Sequence, residues 1–268
     1  MRVFISADIE GIAGMVSWDE ADPGKHGYEE FRDRMTGHVV AACEGAIAAG
    51  ATEILVKDAH FYGRNIIADR LPRIARLSRG WSGHPLMMVE GVDGGFDAAL
   101  MIGYHSRAGS GGTPQAHTMS SSKIALMEVG GIPVSEFHLY GWAAGLYGVP
   151  VTMVSGDVAL CGEVVAANPK IRTVAVHRGL GGSTVALHPA EAGDRIRTTA
   201  EESLAGDLAK CLLPPPKKPT LRIRYREAAQ AFKAGFYPGA GPIDDHTVEF
   251  DTNDYFEVLR AVLFLLGV

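Results

Sequence analysis

The chain has 268 residues, 47% hydrophobic and 21% charged, with a formal net charge of −6. That length suits one large α/β domain, or a main domain with a smaller appendage, and supplies ample apolar material for a core. An acidic balance with no basic patch argues against nucleic acid or an anionic membrane as partner, and the pair Lys217-Lys218 beside Pro214-Pro215-Pro216 is too short to count as one.

Cys43, Cys161 and Cys211 are widely spaced, with no C-x-x-C, so neither a disulfide framework nor a thiolate zinc site is indicated. The first residues run directly into a strand rather than a signal peptide, and no apolar run reaches the roughly 20 residues needed to cross a bilayer. A cytoplasmic protein is expected.

In chain order, Arg2 to Ala7 reads as a buried strand that delivers Asp8 and Glu10 at its end. Side chains at i and i+2 of a strand share a face, and two carboxylates held close in a dry cleft repel unless a proton or cation intervenes. Taken alone, the pair is equally compatible with an acidic strand end turning out to solvent. A Gly-bearing loop follows, then a helix over Glu29 to Ala49 ended by Gly50, then a strand over Glu53 to Ala59 that closes on Asp58 and His60. Phe61 to Glu90 is irregular, with at most a short helix. The strand Asp97 to Gly103 runs on to His105.

The stretch His105 to Ser122 is rich in Gly, Ser and Thr, a long loop of the kind that is more often functional than idle. Lys123 to Val129 and Ile132 to Val134, split by Gly130-Gly131, predict a two-residue hairpin. Further elements are a helix from Glu136 to Tyr147, a strand over Val151 to Ser155, a helix over Val158 to Ala167, a strand over Thr173 to Val176 and a long helix from Pro189 to Leu213. Beyond the proline run, Thr220 to Tyr225, Glu227 to Ala234, Thr247 to Phe250 and Tyr255 to Leu266 read as βαβα. The near-continuous apolar strands predict a mostly parallel sheet covered on both faces. Residues 1–213 are expected to form the main α/β domain and 214–268 a smaller α+β segment. No internal repeat is present.

Asp8, Glu10, His60, His105 and Glu136 form a hard oxygen and imidazole donor set that suits zinc, manganese or cobalt. Ligand-type residues gather at the carboxyl ends of strands in open α/β sheets. Five donors exceed what one tetrahedral ion with an open position needs, so a pair of ions bridged by a carboxylate fits the count, with Asp8, deepest at its strand end, as the bridge. His117, in the Gly/Ser loop, stands apart: taken alone it reads as a loop histidine with no role, or as a general acid or base, or as a donor to an oxyanion. Asp58 reads either as an orienter of an imidazole or as an Asx-turn former. H-E-x-x-H, G-x-S-x-G and Walker motifs are absent.

Five blocks carry a resemblance. Ser6-Ala7-Asp8-Ile9-Glu10-Gly11 is similar to the S-x-D-x-E-G opening of the zinc D-aminopeptidases of peptidase family M55. Lys57-Asp58-Ala59-His60, Gly103-Tyr104-His105-Ser106-Arg107-Ala108, Ala116-His117-Thr118-Met119 and Pro133-Val134-Ser135-Glu136 resemble its later blocks, in the same order and at similar spacing. The match covers almost the whole chain. It departs at Ser135, where the family commonly has Gly, which bears on how the following helix starts.

The resemblance implies two zinc ions per subunit, bridged by Asp8, with Glu10, His60, His105 and Glu136 as the remaining ligands and His117 as the catalytic histidine. It further implies a three-layer α/β/α main domain plus a smaller domain, a homodecamer, and metal-activated water hydrolysing short peptides with an N-terminal D-amino acid, D-alanine above all. Other readings are an amidase or L-peptidase on the same metal site, and a non-catalytic oligopeptide-binding protein.

Overall fold

In the computed structural model, which describes residues 1–267, the chain builds two sheets. Twelve strands and seven α-helices alternate along the described residues: β1 (Arg2–Ala7), α1 (Trp18–Ala21), α2 (Tyr28–Ala48), β2 (Glu53–Asp58), β3 (Ala75–Ser78), β4 (Ala98–Tyr104), β5 (Ile124–Val129), β6 (Ile132–Pro133), α3 (Glu136–Leu146), β7 (Val151–Asp157), α4 (Val158–Ala167), β8 (Arg172–Leu180), β9 (Ser183–Ala186), α5 (Pro189–Leu204), β10 (Leu221–Tyr225), α6 (Ala228–Ala234), β11 (Ala240–Asp244), β12 (Thr247–Phe250) and α7 (Tyr255–Leu266).

The larger sheet has the order β3-β2-β1-β4-β7-β8-β9 and is parallel except for β9. Period-2 alternation divides its strands between two apolar layers. Val3, Ile5 and Ala7 face the layer of α2 and α5, while Phe4, with Ala99 and Met101 of β4, joins the layer of α3 and α4. Fully burying side chains such as Val3, Phe4 and Ile5 contributes about 1.5–3 kcal/mol each. Helix α2 stops where Gly50 adopts φ +91°: Gly50 N donates to Ile47 O and Ala51 N to Ala46 O, a Schellman closure.

The strand order reverses at β1. The chain leaves β1 for β2 and β3 on one side and returns as β4 on the other, which opens a crevice beyond the carboxyl ends of β1 and β4. Two glycines let the loops above this crevice touch. A Cβ on Gly11 would lie 1.8 Å from Tyr104 O, and one on Gly103, at φ +73°, would lie 2.2 Å from Asp8 O.

The smaller sheet is antiparallel, ordered β11-β12-β10-β5-β6, with α7 packed on α3 through the Tyr255 hydroxyl, which donates to Leu139 O at 2.7 Å. Since β10 pairs with β5, this sheet spans the division expected at residue 213, and we propose that 214–268 is an appendage built onto the β5–β6 hairpin. Trp142 is core here, 6.1 Å from the Tyr255 ring.

Several expectations change. The helix begun at Pro189 ends at Leu204 rather than Leu213, because Gly206 and Asp207 break it and Leu208–Cys211 continues as a 3-10 turn. The C-terminal segment has one more strand than expected, β11, whose Gly-Pro sequence masks it as an edge. Strand β3 lies in the stretch expected to be irregular.

Candidate metal centre

Strand β1 ends at Ala7, so Asp8 and Glu10 reach the crevice through a turn, closed by Ile12 N to Ile9 O, rather than by strand alternation. The turn still aims both at one imidazole. His60 Nδ1 lies 3.2 Å from Asp8 Oδ1 and 3.1 Å from Glu10 Oε2. His60 is held by its own loop: Asp58 accepts from Asn65 N at 2.6 Å, Asn65 Nδ2 at 2.8 Å and Ile66 N at 2.8 Å, and Asn65 Nδ2 in turn donates to His60 O at 2.7 Å. Asp58 therefore positions the backbone that carries His60 rather than the imidazole itself.

His105 follows β4. Its Nε2 lies 3.4 Å from Asp8 Oδ2 and 3.2 Å from Glu136 Oε2. Glu136 opens α3, and Ser135 caps the start of that helix, its hydroxyl 2.9 Å from His138 Nδ1. The other Glu136 oxygen, Oε1, accepts from Met119 N at 2.6 Å. His117 N donates to Ser106 O, and the His117 ring stacks on His105 with its Nε2 3.6 Å from Glu136 Oε1 and 4.0 Å from Glu10 Oε1. All six residues singled out in the sequence thus meet in one place, each of them buried.

Three donor groups with atoms within 4.8 Å of one another emerge: Asp8-Glu10-His60, Asp8-His105-Glu136 and Glu10-His105-His117. Asp8 belongs to two of them. Each histidine has one nitrogen beside a backbone carbonyl: His60 Nε2 to Ala21 O at 2.9 Å, His105 Nδ1 to Ser106 O at 3.0 Å and His117 Nδ1 to Gln115 O at 2.9 Å. A carbonyl only accepts, so that nitrogen carries the proton and the neutral ring turns a lone pair toward the carboxylates. Lone pair against lone pair is unfavourable unless a cation lies between, and Asp8 Oδ2, Glu10 Oε2 and His105 Nε2 are buried without a hydrogen-bond partner. These donors fit a divalent metal, with the carbonyls setting the tautomers as in histidine metal sites.

The electrostatics of the metal-free centre agree. Burial alone would raise the Asp8 carboxyl, but the facing imidazoles of His105 and His60 bring it down to about 2. Burial opposes charge on His60 and His105 as well, yet the facing carboxylates, Glu10 and Asp8 for the former and Glu136 and Asp8 for the latter, hold both imidazoles well above their ordinary value. With nothing else present, protons take the place of the cation.

Above the donors opens a cleft of about 610 Å³. Trp18, Trp81, Phe61 and Tyr62 stand at its walls, each more than a third exposed, with Met87, Met88 and Met119 deeper. Phe61, Met87 and Met119 are the non-glycine residues at positive φ among those described, and all three line this cleft. Strained backbone of this kind collects where ligands are gripped. The Trp81 wall is pinned by buried Lys57, whose Nζ donates to Gly80 O at 2.5 Å and sits 4.5 Å over the Trp81 ring.

The supporting residues escaped the sequence reading. Asn65, Ser106 and the Met119 amide act through backbone geometry, which leaves no motif. Asp157 is different: it caps α4 through Ala159 N and Leu160 N while accepting from Ser106 N at 2.6 Å, and an Asp between an apolar strand and a helix was a visible signal.

The family model of peptidase family M55, D-aminopeptidase, matches residues 1–264. A D-aminopeptidase of Bacillus subtilis (strain 168) is 34% identical over 267 residues, covering 99% of this chain and 96% of that protein. The solved structure of the Zn-dependent D-aminopeptidase DppA from Bacillus subtilis, described as a self-compartmentalizing protease, superposes with a TM-score of 0.93 at 32% identity, covering 100% of this chain and 97% of that one.

Proposed function

The chain belongs to peptidase family M55, the D-aminopeptidases, and from that membership and the centre described above we propose a dinuclear zinc aminopeptidase acting on short peptides with an N-terminal D-residue of the D-alanine type. The observation that carries this reading is the sharing of Asp8 between the donor groups Asp8-Glu10-His60 and Asp8-His105-Glu136. One carboxylate common to two three-residue sets supports two ions rather than one.

When bound, the zinc pair supplies Lewis acidity to the scissile carbonyl and lowers the pKa of water. The remaining work falls to the chain. Asp8, Glu10 and Glu136 concentrate negative charge on the cleft floor, which favours the amine end of a substrate over its acid end. His117 keeps its proton on Nδ1 against Gln115 O, so Nε2 is free to accept a proton from the attacking water and return it to the leaving amine. Nε2 faces Glu136 Oε1 at 3.6 Å and Glu10 Oε1 at 4.0 Å. Trp18, its ring centroid 5.3 Å from His117, limits water on that side.

We also propose a homo-oligomer, a decamer by the resemblance, on the strength of the relative's description as self-compartmentalizing. Turnover of D-Ala-D-Ala against L-Ala-L-Ala by zinc-loaded protein tests the reaction. Cleavage of the D,D dipeptide with little of the L,L one is expected. The reverse preference favours an L-peptidase, and binding without turnover a peptide-binding protein.

A further inference from the structure

A short peptide in water is a zwitterion, and the cleft is charged unevenly. Its floor carries Asp8, Glu10 and Glu136, and Asp22 adds a fourth acid to the lining. A carboxylate placed among them is repelled, so the acid end of a substrate has to lie elsewhere. Among the described lining residues one lysine or arginine is present, Lys123.

Lys123 ends the segment that begins at Met119, whose amide donates to Glu136 Oε1, so one five-residue stretch touches the metal donors at its start and presents a cation to the same cleft at its end. Between them Ser120, Ser121 and Ser122 also line the cleft and offer hydroxyl donors. Lys123 Nζ donates to Leu266 O. An ammonium has three protons, so two have no acceptor among the described residues. Lys123 and the metal donors line one cleft, so a substrate held by its amine end at the donors lies in the same cleft as this cation.

Building on the aminopeptidase reading, we propose that Lys123, with the Ser120-Ser121-Ser122 hydroxyls, anchors the free C-terminal carboxylate of the substrate. The enzyme then selects peptides by the separation of their charged ends, and short peptides with a free acid are its best substrates.

The test compares D-Ala-D-Ala with its C-terminal amide in zinc-loaded wild type, Lys123→Met and Lys123→Arg. The wild type is expected to prefer the acid by about tenfold or more in kcat/KM. Lys123→Met should raise KM for the acid about 10–100-fold, the range for losing one charge-assisted hydrogen-bonded contact, while kcat and the constants for the amide stay within about twofold. Lys123→Arg should keep much of the preference. Equal handling of acid and amide by the wild type, or an equal loss on both in Lys123→Met, overturns the anchor and leaves Lys123 a strut for Leu266. Equilibrium binding of the D-Ala-D-Ala isostere with CH2–NH in place of the amide, as acid and as C-terminal amide, reads the anchor without turnover. If the wild type cleaves no D-alanyl compound yet binds the acid isostere through Lys123, the reaction assignment fails and the anchor stands. If Lys123→Met binds both isosteres as the wild type does, the anchor fails.

Discussion

His117 lies face to face on His105, ring centroids 4.2 Å apart and planes inclined by 7°, yet different carbonyls hold the two rings, Gln115 O for His117 and Ser106 O for His105. Both therefore point Nε2 into the same centre. Of these two rings, His105 brings its nitrogen within 3.4 Å of two carboxylate oxygens, whereas His117 stays at 3.6 and 4.0 Å.

That offset separates proton transfer from metal holding. Changing His117 to Ala should leave zinc content unchanged and lower kcat by about 10²–10⁴, the range for a general acid or base. Metal analysis alongside steady-state kinetics checks it. Loss of zinc in step with activity would instead make His117 a ligand, through the Glu10-His105-His117 group.

Asp8 is the donor common to the Asp8-Glu10-His60 and Asp8-His105-Glu136 groups. Asp8→Ala should lose most of both ions, whereas Glu10→Ala or Glu136→Ala, each removing a donor from one Asp8-containing group, should weaken one ion more than the other. Titration of each variant with zinc, followed by calorimetry, distinguishes two-step from one-step loss.

Asp58 touches no proposed ligand side chain, yet three buried donors of Asn65 and Ile66 depend on it. Asp58→Ala leaves them unpaired, at a cost of about 3 kcal/mol or more, and releases the loop that carries His60. Zinc affinity should fall about 10–100-fold, the usual effect of losing a residue that orients a ligand. A variant that melts earlier but binds zinc normally would show Asp58 to be purely structural.

The pH dependence of the metal-free chain follows from the shifted groups. His60 and His105 are raised in the folded state, so their contribution is complete below about 6.5, the unfolded value, and is lost as pH climbs through their higher folded values. Asp8 is lowered to about 2, so its share, about 2 kcal/mol, is present above the unfolded value near 3.8 and disappears as pH falls toward 2. Metal-free protein should therefore melt highest in mildly acidic buffer and lose stability in both directions. Zinc requires the unprotonated imidazoles, so at pH 6.5 its binding should release protons, measurable from the dependence of calorimetric heat on buffer ionisation enthalpy.

Much of this site was legible because it is built from residue types with few other uses at strand ends. Asp8, His60 and His105 follow apolar runs that no helix could supply, and Glu136 follows a hairpin marked by Gly130-Gly131. The path of Asp8 and Glu10 was not legible, since a turn replaces the last residues of a strand through the close approach of Gly11 to Gly103, a contact between segments about ninety residues apart in sequence. The end of α5 was misjudged because Leu208 to Leu213 stays apolar enough to continue a helix, while Gly206 and Asp207 stop it locally. Strands β3, β9 and β11 are short elements at the edges of their sheets, four or five residues each, whose form comes from their neighbours.

The central claim is that two ions share Asp8. Crystals of zinc-loaded protein, measured on both sides of the zinc absorption edge, test it directly. The account predicts two anomalous peaks about 3.5–4 Å apart, one beside Glu10 and His60, the other beside His105 and Glu136, with Asp8 between them. A single peak, or a pair that leaves Asp8 outside both coordination spheres, would contradict it.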